Sequence, residues 1–165
     1  ALMELGATVC LPNGAPLCGR CPAAGFCRAF QEGRTGELPV KAAKKARRVE
    51  ERTVYLLFHG GSVALRRRPD RGLLAGLWEY PNELAEGRDW LREWGLSAPL
   101  EKAGAGKHIF THIEWRMAAL AGELDSPDLP EGWVWAGRTD LRDTYAVPNA
   151  FQSFSRLVMD RLGHF

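Results

Sequence analysis

The sequence predicts an α+β protein: a mixed sheet with flanking helices, preceded by an irregular cysteine-bearing loop and a linker. Three observations carry that expectation. All four cysteines, Cys10, Cys18, Cys21 and Cys27, fall near the start of the 165-residue chain and leave the rest free of thiols. From Thr53 onward, β-branched and aromatic runs alternate with glycine turns, as paired strands require. The tail, Pro148 to Leu162, sets Phe151, Phe154, Leu157, Val158 and Leu162 on one stripe of a closing helix.

The elements follow in order. Residues 1–9 read as the last turns of a helix, so the chain is expected to be a piece of something longer. The cysteine loop completes a first part, 1–30. Gly33, Gly36 and Pro39, together with a run rich in Lys and Arg, mark 31–52 as a linker. Residues 53–165 then form the main domain. Thr53–Phe58 and Ser62–Arg68 read as strands of a hairpin about His59-Gly60-Gly61. Arg88–Trp94 is a short amphipathic helix stopped by Gly95. Lys107–Phe110, Glu114–Leu124 and Trp133–Trp135 read as further strands. All six tryptophans lie in this second part, where they are expected to fill its core.

Composition excludes several classes. With 45% apolar residues the chain can bury one sizeable core. No apolar run approaches the ~20 residues that a membrane span needs, and the first residues lack an export pattern. The expectation is a cytoplasmic protein, nucleoid-associated in a bacterium, without membrane partners and monomeric. Grouped cysteines in a reducing compartment point to metal or cluster ligation rather than to disulfides. The net charge of +2 conceals a gradient: residues 1–52 hold 9 basic against 5 acidic groups, and 53–165 hold 13 against 15. The positive character peaks at Lys41-Ala42-Ala43-Lys44-Lys45-Ala46-Arg47-Arg48. Such a run is either a solvated linker or a segment lying along phosphates, where each neutralised phosphate adds salt-sensitive affinity.

The cysteine spacing is C-x7-C-x2-C-x5-C. A structural zinc site usually joins two close cysteine pairs from separate knuckles. Here only Cys18 and Cys21 are close, which favours one loop wrapped around a [4Fe-4S] cubane, with one thiolate per iron, over zinc as the alternative. Pro12, Gly14, Pro16, Gly19, Pro22 and Gly25 keep this loop irregular.

Met3-Glu4-Leu5-Gly6 before Cys10, then Cys18-Gly19-Arg20-Cys21-Pro22 and Cys27-Arg28-Ala29-Phe30, closely resemble the cluster loop of the adenine DNA glycosylase (MutY) family, within the endonuclease III superfamily. Glu37-Leu38-Pro39-Val40-Lys41 is similar to that family's interdomain connector. Gly72-Leu73-Leu74-Ala75-Gly76-Leu77-Trp78-Glu79-Tyr80-Pro81 resembles the signature of its C-terminal domain. Phe110-Thr111-His112 resembles its Phe-Ser-His loop, and Tyr145-Ala146-Val147-Pro148 resembles its turn into the last helix. There are departures. Seven residues, Leu11 to Leu17, separate Cys10 from Cys18, one more than in the family, and the extra residue can bulge outward. Thr111 stands where Ser is usual.

The resemblance implies a Nudix (MutT)-like C-terminal portion that recognises 8-oxoguanine in double-stranded DNA. The adenine-removing helix-hairpin-helix domain and its catalytic Glu and Asp would lie upstream, so no catalytic residue is assigned and the chain alone is expected to be inactive. Oxidation of guanine at C8 turns N7 into a donor. The resemblance gives Thr111 the acceptor role, sets Phe110 near the base step and places His112 near a phosphate; Phe110 and His112 could equally just close a loop. Arg20, Arg28, Lys41, Lys44, Lys45, Arg71 and Lys107 are candidate contacts to the DNA backbone.

A Nudix hydrolase gathers glutamates on magnesium through G-x5-E-x7-R-E-U-x-E-E-x-G-U. Residues 87–96 keep only an echo of its end, and Glu83, Glu86 and Glu93 do not reproduce its spacing. The expected domain therefore has the Nudix shape without the hydrolase chemistry. Two other classes remain open: a Nudix pyrophosphohydrolase with a zinc-binding appendage, and a DNA-binding module indifferent to lesions.

Overall fold

The computed structural model describes residues 2–40 and 46–163. It divides the chain into two units, 1–45 and 46–165. Lys41, Lys44 and Lys45 lie outside the described residues.

The first unit has little regular structure. Helix α1 (Leu2–Thr8) leads to two 3-10 turns, Cys18–Arg20 and Ala24–Phe26, and to the single turn α2 (Arg28–Gln31). Prolines and glycines prevent longer helices here.

The second unit is built on a seven-stranded mixed sheet. Strand β1 (Arg48–His59) turns tightly into β2 (Ser62–Arg67). Gly60 and Gly61 have φ of 54° and 76°, the doubly left-handed backbone that a two-residue hairpin needs. Short strands β3 (Trp78–Glu79) and β4 (Asn82–Leu84) follow, then the single turn α3 (Trp90–Glu93). Asp89 caps α3 by accepting from the Arg92 amide, and Gly95 ends it at φ 72°. Hairpin β5 (Glu101–Ile109) and β6 (Ile113–Glu123) is followed by β7 (Trp133–Ala136), α4 (Arg138–Asp143), a 3-10 turn at Asn149–Phe151 and α5 (Gln152–Leu162). The strand order is β3-β2-β1-β6-β5, with β4 added to β1 and β7 to β2.

β1 pairs with β6 in parallel from Arg48↔Ile113 to Phe58↔Glu123. Val54 to Phe58 are buried without alternation because both faces of this central strand are covered. Val54, Leu56 and Phe58 meet Trp115, Met117, Phe151, Phe154, Val158 and Leu162 on the α5 side. Tyr55, Leu57 and Leu91 form the opposite cluster, against which Trp90, Trp94, Trp133 and Trp135 pack.

Several sequence expectations change. β1 begins at Arg48 and takes the last residues of the stretch read as linker, because β6 offers them a parallel partner. β5 extends back to Glu101, its Gly104 and Gly106 giving little strand signal. Those glycines face α5: a Cβ on Gly106 would meet the Phe154 ring at 3.0 Å. Leu157 is 40% exposed although it falls on the apolar stripe. Of the six tryptophans only Trp115 is fully buried; the others are half-buried.

Candidate functional site

Two places concentrate the predicted site residues, one in each unit. In the first unit Cys10, Cys18, Cys21 and Cys27 are all free thiols. They line one largely apolar cavity of about 480 Å³, shared with Leu5, Val9, Ala24 and Phe30. Backbone turns set the thiols. The Cys10 amide donates to Leu5 O (2.8 Å), Cys21 N to Cys18 O (3.1 Å) and Cys27 N to Ala24 O (3.3 Å). The extra residue between Cys10 and Cys18 does not open the loop, because Leu17 N donates to Val9 O at 2.9 Å and closes the neck.

A single metal ion draws its thiolates to ~2.3 Å from one point. Among the described residues no three His, Cys, Asp or Glu side chains are grouped to hold one. The four cysteines on one apolar cavity are the donor set that a [4Fe-4S] group would take, one sulfur to each iron. Around this loop Arg20 is exposed, whereas Arg28 is held by Glu32 at 2.7 Å.

In the second unit Phe110, Thr111 and His112 form the turn between β5 and β6. Phe110 N–H donates to Ile113 O at 2.8 Å, which leaves Thr111 and His112 as a two-residue tip. Both tip residues are exposed. The His112 carbonyl accepts from the Arg48 amide at 3.1 Å, joining the tip to β1. Phe110 turns inward, edge-on to Trp115 with ring centroids 4.9 Å apart, and its other side meets His108 at 4.5 Å.

Trp115 is 2% exposed, and its indole N–H donates to Glu50 Oε2 at 2.9 Å. Glu50 also accepts from Arg48 and, at 2.9 Å, from Arg52. Burial works to raise the Glu50 carboxyl, but the hydrogen bonds and charges of Arg48 and Arg52 outweigh it and hold the group below its usual value of 4.5. The guanidinium carbons of Arg52 and Arg68 lie 4.7 and 5.6 Å from the Trp115 ring centroid.

Arg68 reaches the second matched motif. Its Nε donates to Leu73 O at 2.9 Å, within the turn 72–77. Gly72 and Gly76 adopt φ of 92° and 70° there, and Leu74 is held at 57°, a strained value for a branched side chain. Arg71 is exposed beside this turn.

Lys107 does not stand free. On β5 it faces Arg116 of β6, and Glu114 bridges the two like charges at 3.5 and 2.9 Å. The Arg116 hydrogen bond, with the Lys107 charge, lowers the Glu114 pKa against a smaller opposing effect of burial. Glu50, Trp115 and Arg116 were not singled out by the sequence, since a Trp in an alternating strand looks like ordinary core and charged residues look like solvated surface; Arg48 stood there only as the end of the basic run.

Two carboxylates in and just after the 72–81 motif are paired with arginines. Glu79 is 1% exposed and takes Arg66 Nε at 2.9 Å and Arg68 Nη1 at 2.5 Å. Glu83 accepts from Arg66 Nη1 at 2.6 Å.

The comparisons with known proteins agree with this architecture. The NUDIX domain family matches residues 53–156. Adenine DNA glycosylases of Mus musculus and Homo sapiens are 29% and 28% identical across 97% and 95% of this chain, and the match spans 42% and 40% of their own lengths. The adenine DNA glycosylase of Arabidopsis thaliana is 37% identical over 68% of this chain and 23% of its own length. The chain thus spans about two fifths of the mouse and human relatives. The C-terminal domain of mouse MUTYH, solved in complex with human PCNA, is 26% identical with a TM-score of 0.53, over 68% of this chain and 88% of that one. A MutT protein from Methanosarcina mazei Go1 shares the fold at a TM-score of 0.54 and 17% identity, covering 73% and 96% of the two chains. Among the described residues no helix is long and apolar enough to cross a membrane. Sheet topology, family match and relatives converge: the chain belongs to the NUDIX domain family, with the adenine DNA glycosylases among its homologues.

Proposed function

We propose that this chain is the lesion-checking portion of an adenine DNA glycosylase, acting in base-excision repair of adenine mispaired with 8-oxoguanine or guanine. The observation that carries the reading is the exposed Thr111 hydroxyl at the two-residue tip of the β5–β6 hairpin, in a chain whose homologues over most of its length are adenine DNA glycosylases. A hydroxyl both accepts and donates. Thr111 Oγ1 accepts the N7 proton that 8-oxoguanine has and guanine lacks, His112 meets a phosphate, and Phe110 anchors the turn from below.

The parent enzyme flips adenine into an upstream helix-hairpin-helix domain, while residues 53–165 check the opposite base. Catalysis belongs to that upstream domain, and the chain alone releases no adenine. Cys10, Cys18, Cys21 and Cys27 hold a [4Fe-4S] cluster, for which their shared cavity is the support. The cluster's contribution is structural: four thiolates crosslink the loop through one core. They thereby order a segment bearing Arg20 and Arg28 for phosphate contact. Residues 31–52 act as a basic connector, with Lys41, Lys44 and Lys45 along the DNA backbone and Arg71 and Lys107 as further contacts. The spacing of Glu83, Glu86 and Glu93, which does not reproduce the magnesium-binding pattern, speaks against a Nudix pyrophosphohydrolase, and Glu83 is in addition paired with Arg66.

The test is fluorescence anisotropy of the 165-residue chain with duplexes carrying 8-oxoguanine or guanine opposite adenine. The expected result is tighter binding to the oxidised duplex, with the preference reduced about fivefold in Thr111→Ala, the worth of one net hydrogen bond, and kept in Thr111→Ser. Equal binding of both duplexes by the wild-type chain would overturn the reading and favour a lesion-indifferent DNA module. Adenine release by the chain would overturn its assignment as non-catalytic.

A further inference from the structure

We propose that Trp115 is the positioning residue of the lesion-reading turn: its indole, oriented by Glu50, sets where Phe110 sits and hence where the Thr111 hydroxyl points. The inference deepens the function proposed above and rests on that reading.

The register makes the arrangement direct. Trp115 of β6 lies opposite Glu50 of β1 on one side and opposite His108 of β5 on the other. Opposed residues share a face of the sheet, so the carboxylate, the indole and the imidazole stand in a row beneath the turn. The indole N–H donates to Glu50 Oε2 at 2.9 Å, which allows the ring one orientation. Its faces and edges are then occupied. Phe110 stands at 72° to it, Phe151 of the core lies 6.0 Å away, and Arg52 and Arg68 approach the ring as cations.

Each of these neighbours is itself held. Arg52 Nη1 is on the same Glu50 oxygen at 2.9 Å, and its Nε is on Asn82 Oδ1 at 2.8 Å. Asn82 is fully buried and donates to Tyr80 O at 2.8 Å. Arg68 carries Leu73 O of the strained 72–77 turn. A hydrophobic residue filling the same volume would support Phe110 equally well. A polar, charge-anchored ring adds orientation, which a site discriminating by a single hydrogen bond requires. Arg68 thus touches both the Trp115 ring beneath the turn 110–112 and the backbone of the turn 72–77.

The experiment measures, in the full 165-residue chain, dissociation constants for 8-oxoguanine:adenine and guanine:adenine duplexes together with the thermal midpoint. The variants are Trp115→Phe, Glu50→Gln, Glu50→Leu and, as the control for the reading itself, Thr111→Ala. Gln still accepts from the indole N–H and from Arg52, whereas Leu removes both hydrogen bonds, and both variants lose the charge that pairs Arg48 and Arg52. This pair therefore separates the hydrogen bonds that hold the indole and its neighbouring guanidinium from the charge at position 50, even where Trp115→Phe fails to fold. Expected are a two- to tenfold fall in discrimination for Trp115→Phe and Glu50→Leu, about what one lost hydrogen bond gives, with binding to the guanine duplex unchanged, and discrimination retained in Glu50→Gln. Equal discrimination by Glu50→Gln and Glu50→Leu overturns the inference, as does a loss of affinity for both duplexes in equal proportion. Discrimination that vanishes in Thr111→Ala but survives in Glu50→Leu overturns the inference alone. A wild-type chain that binds both duplexes alike overturns the reading and the inference with it.

Discussion

Arg66 and Glu79 form an ion pair, Nε to Oε1 at 2.9 Å, with the carboxylate 1% exposed and a second guanidinium, Arg68, on its other oxygen. The charge of this buried carboxylate is thus balanced by two guanidinium groups.

Glu79→Ala leaves those two guanidinium groups facing one another in the interior. Removing one partner of a buried pair costs about 3–5 kcal/mol. Urea unfolding followed by tryptophan fluorescence should show that loss, and a change below about 1 kcal/mol would mean that the pair contributes little to the fold.

Cys21→Ser removes one of the four thiols that line the cavity of the first unit. Iron content is expected to fall, and amides of residues 10–27 to exchange faster with solvent, while the β1–β6 ladder stays protected. The buried core clusters lie within the second unit, so collapse of sheet protection in this variant would contradict the independence of that unit's folding.

Glu50 supplies a pH dependence whose sign is set by its environment. Its folded-state pKa lies below the ordinary 4.5 although burial acts to raise it, because Arg48 and Arg52 favour the ionised form. The associated stabilisation is therefore complete above the unfolded value and is lost as pH falls below it through the depressed folded value. Wild type and Glu50→Gln should converge in stability at acid pH and separate near neutrality; a constant gap across the titration would refute the assignment.

Gly122 lies where β6 passes the segment before β5. A Cβ there would stand 2.7 Å from Pro99 O and 2.8 Å from Leu100 Cδ2. Gly122→Ala should destabilise by about 1–3 kcal/mol, as overpacking does. Unchanged thermal unfolding would show that the 98–100 segment yields freely.

Glu114 bridges Lys107 and Arg116 on the exposed side of the hairpin that carries the turn. If this face meets phosphates, Glu114→Gln releases two cations to them. Affinity for both duplexes should then rise equally and grow more steeply dependent on salt, with the 8-oxoguanine preference unchanged. A lower affinity, or a flat salt dependence, would remove Lys107 from the contact surface.

Much of this fold was legible in the sequence because its signals are local. Gly60-Gly61 marked a hairpin by its backbone freedom, and the stripe of Phe154, Val158 and Leu162 marked α5 by its period. β3 and β4 were not legible: two- and three-residue strands carry no period, and they exist because β1 and β2 present edges to them. Arg48 to Arg52 read as linker because their charges suit solvent, yet Glu50 and Arg52 neutralise each other as they join the sheet.

The sequence by itself determined the residue types at the turn, the four thiols, the glycine positions and the helical stripe, since each of these depends on neighbours close along the chain. Only the tertiary structure decided that Glu50 lies across from Trp115, 65 residues away, and that the carboxylate of Glu79 serves arginines. Pairings of that range follow from strand register, and a one-residue slip would turn Glu50 and Trp115 to opposite faces.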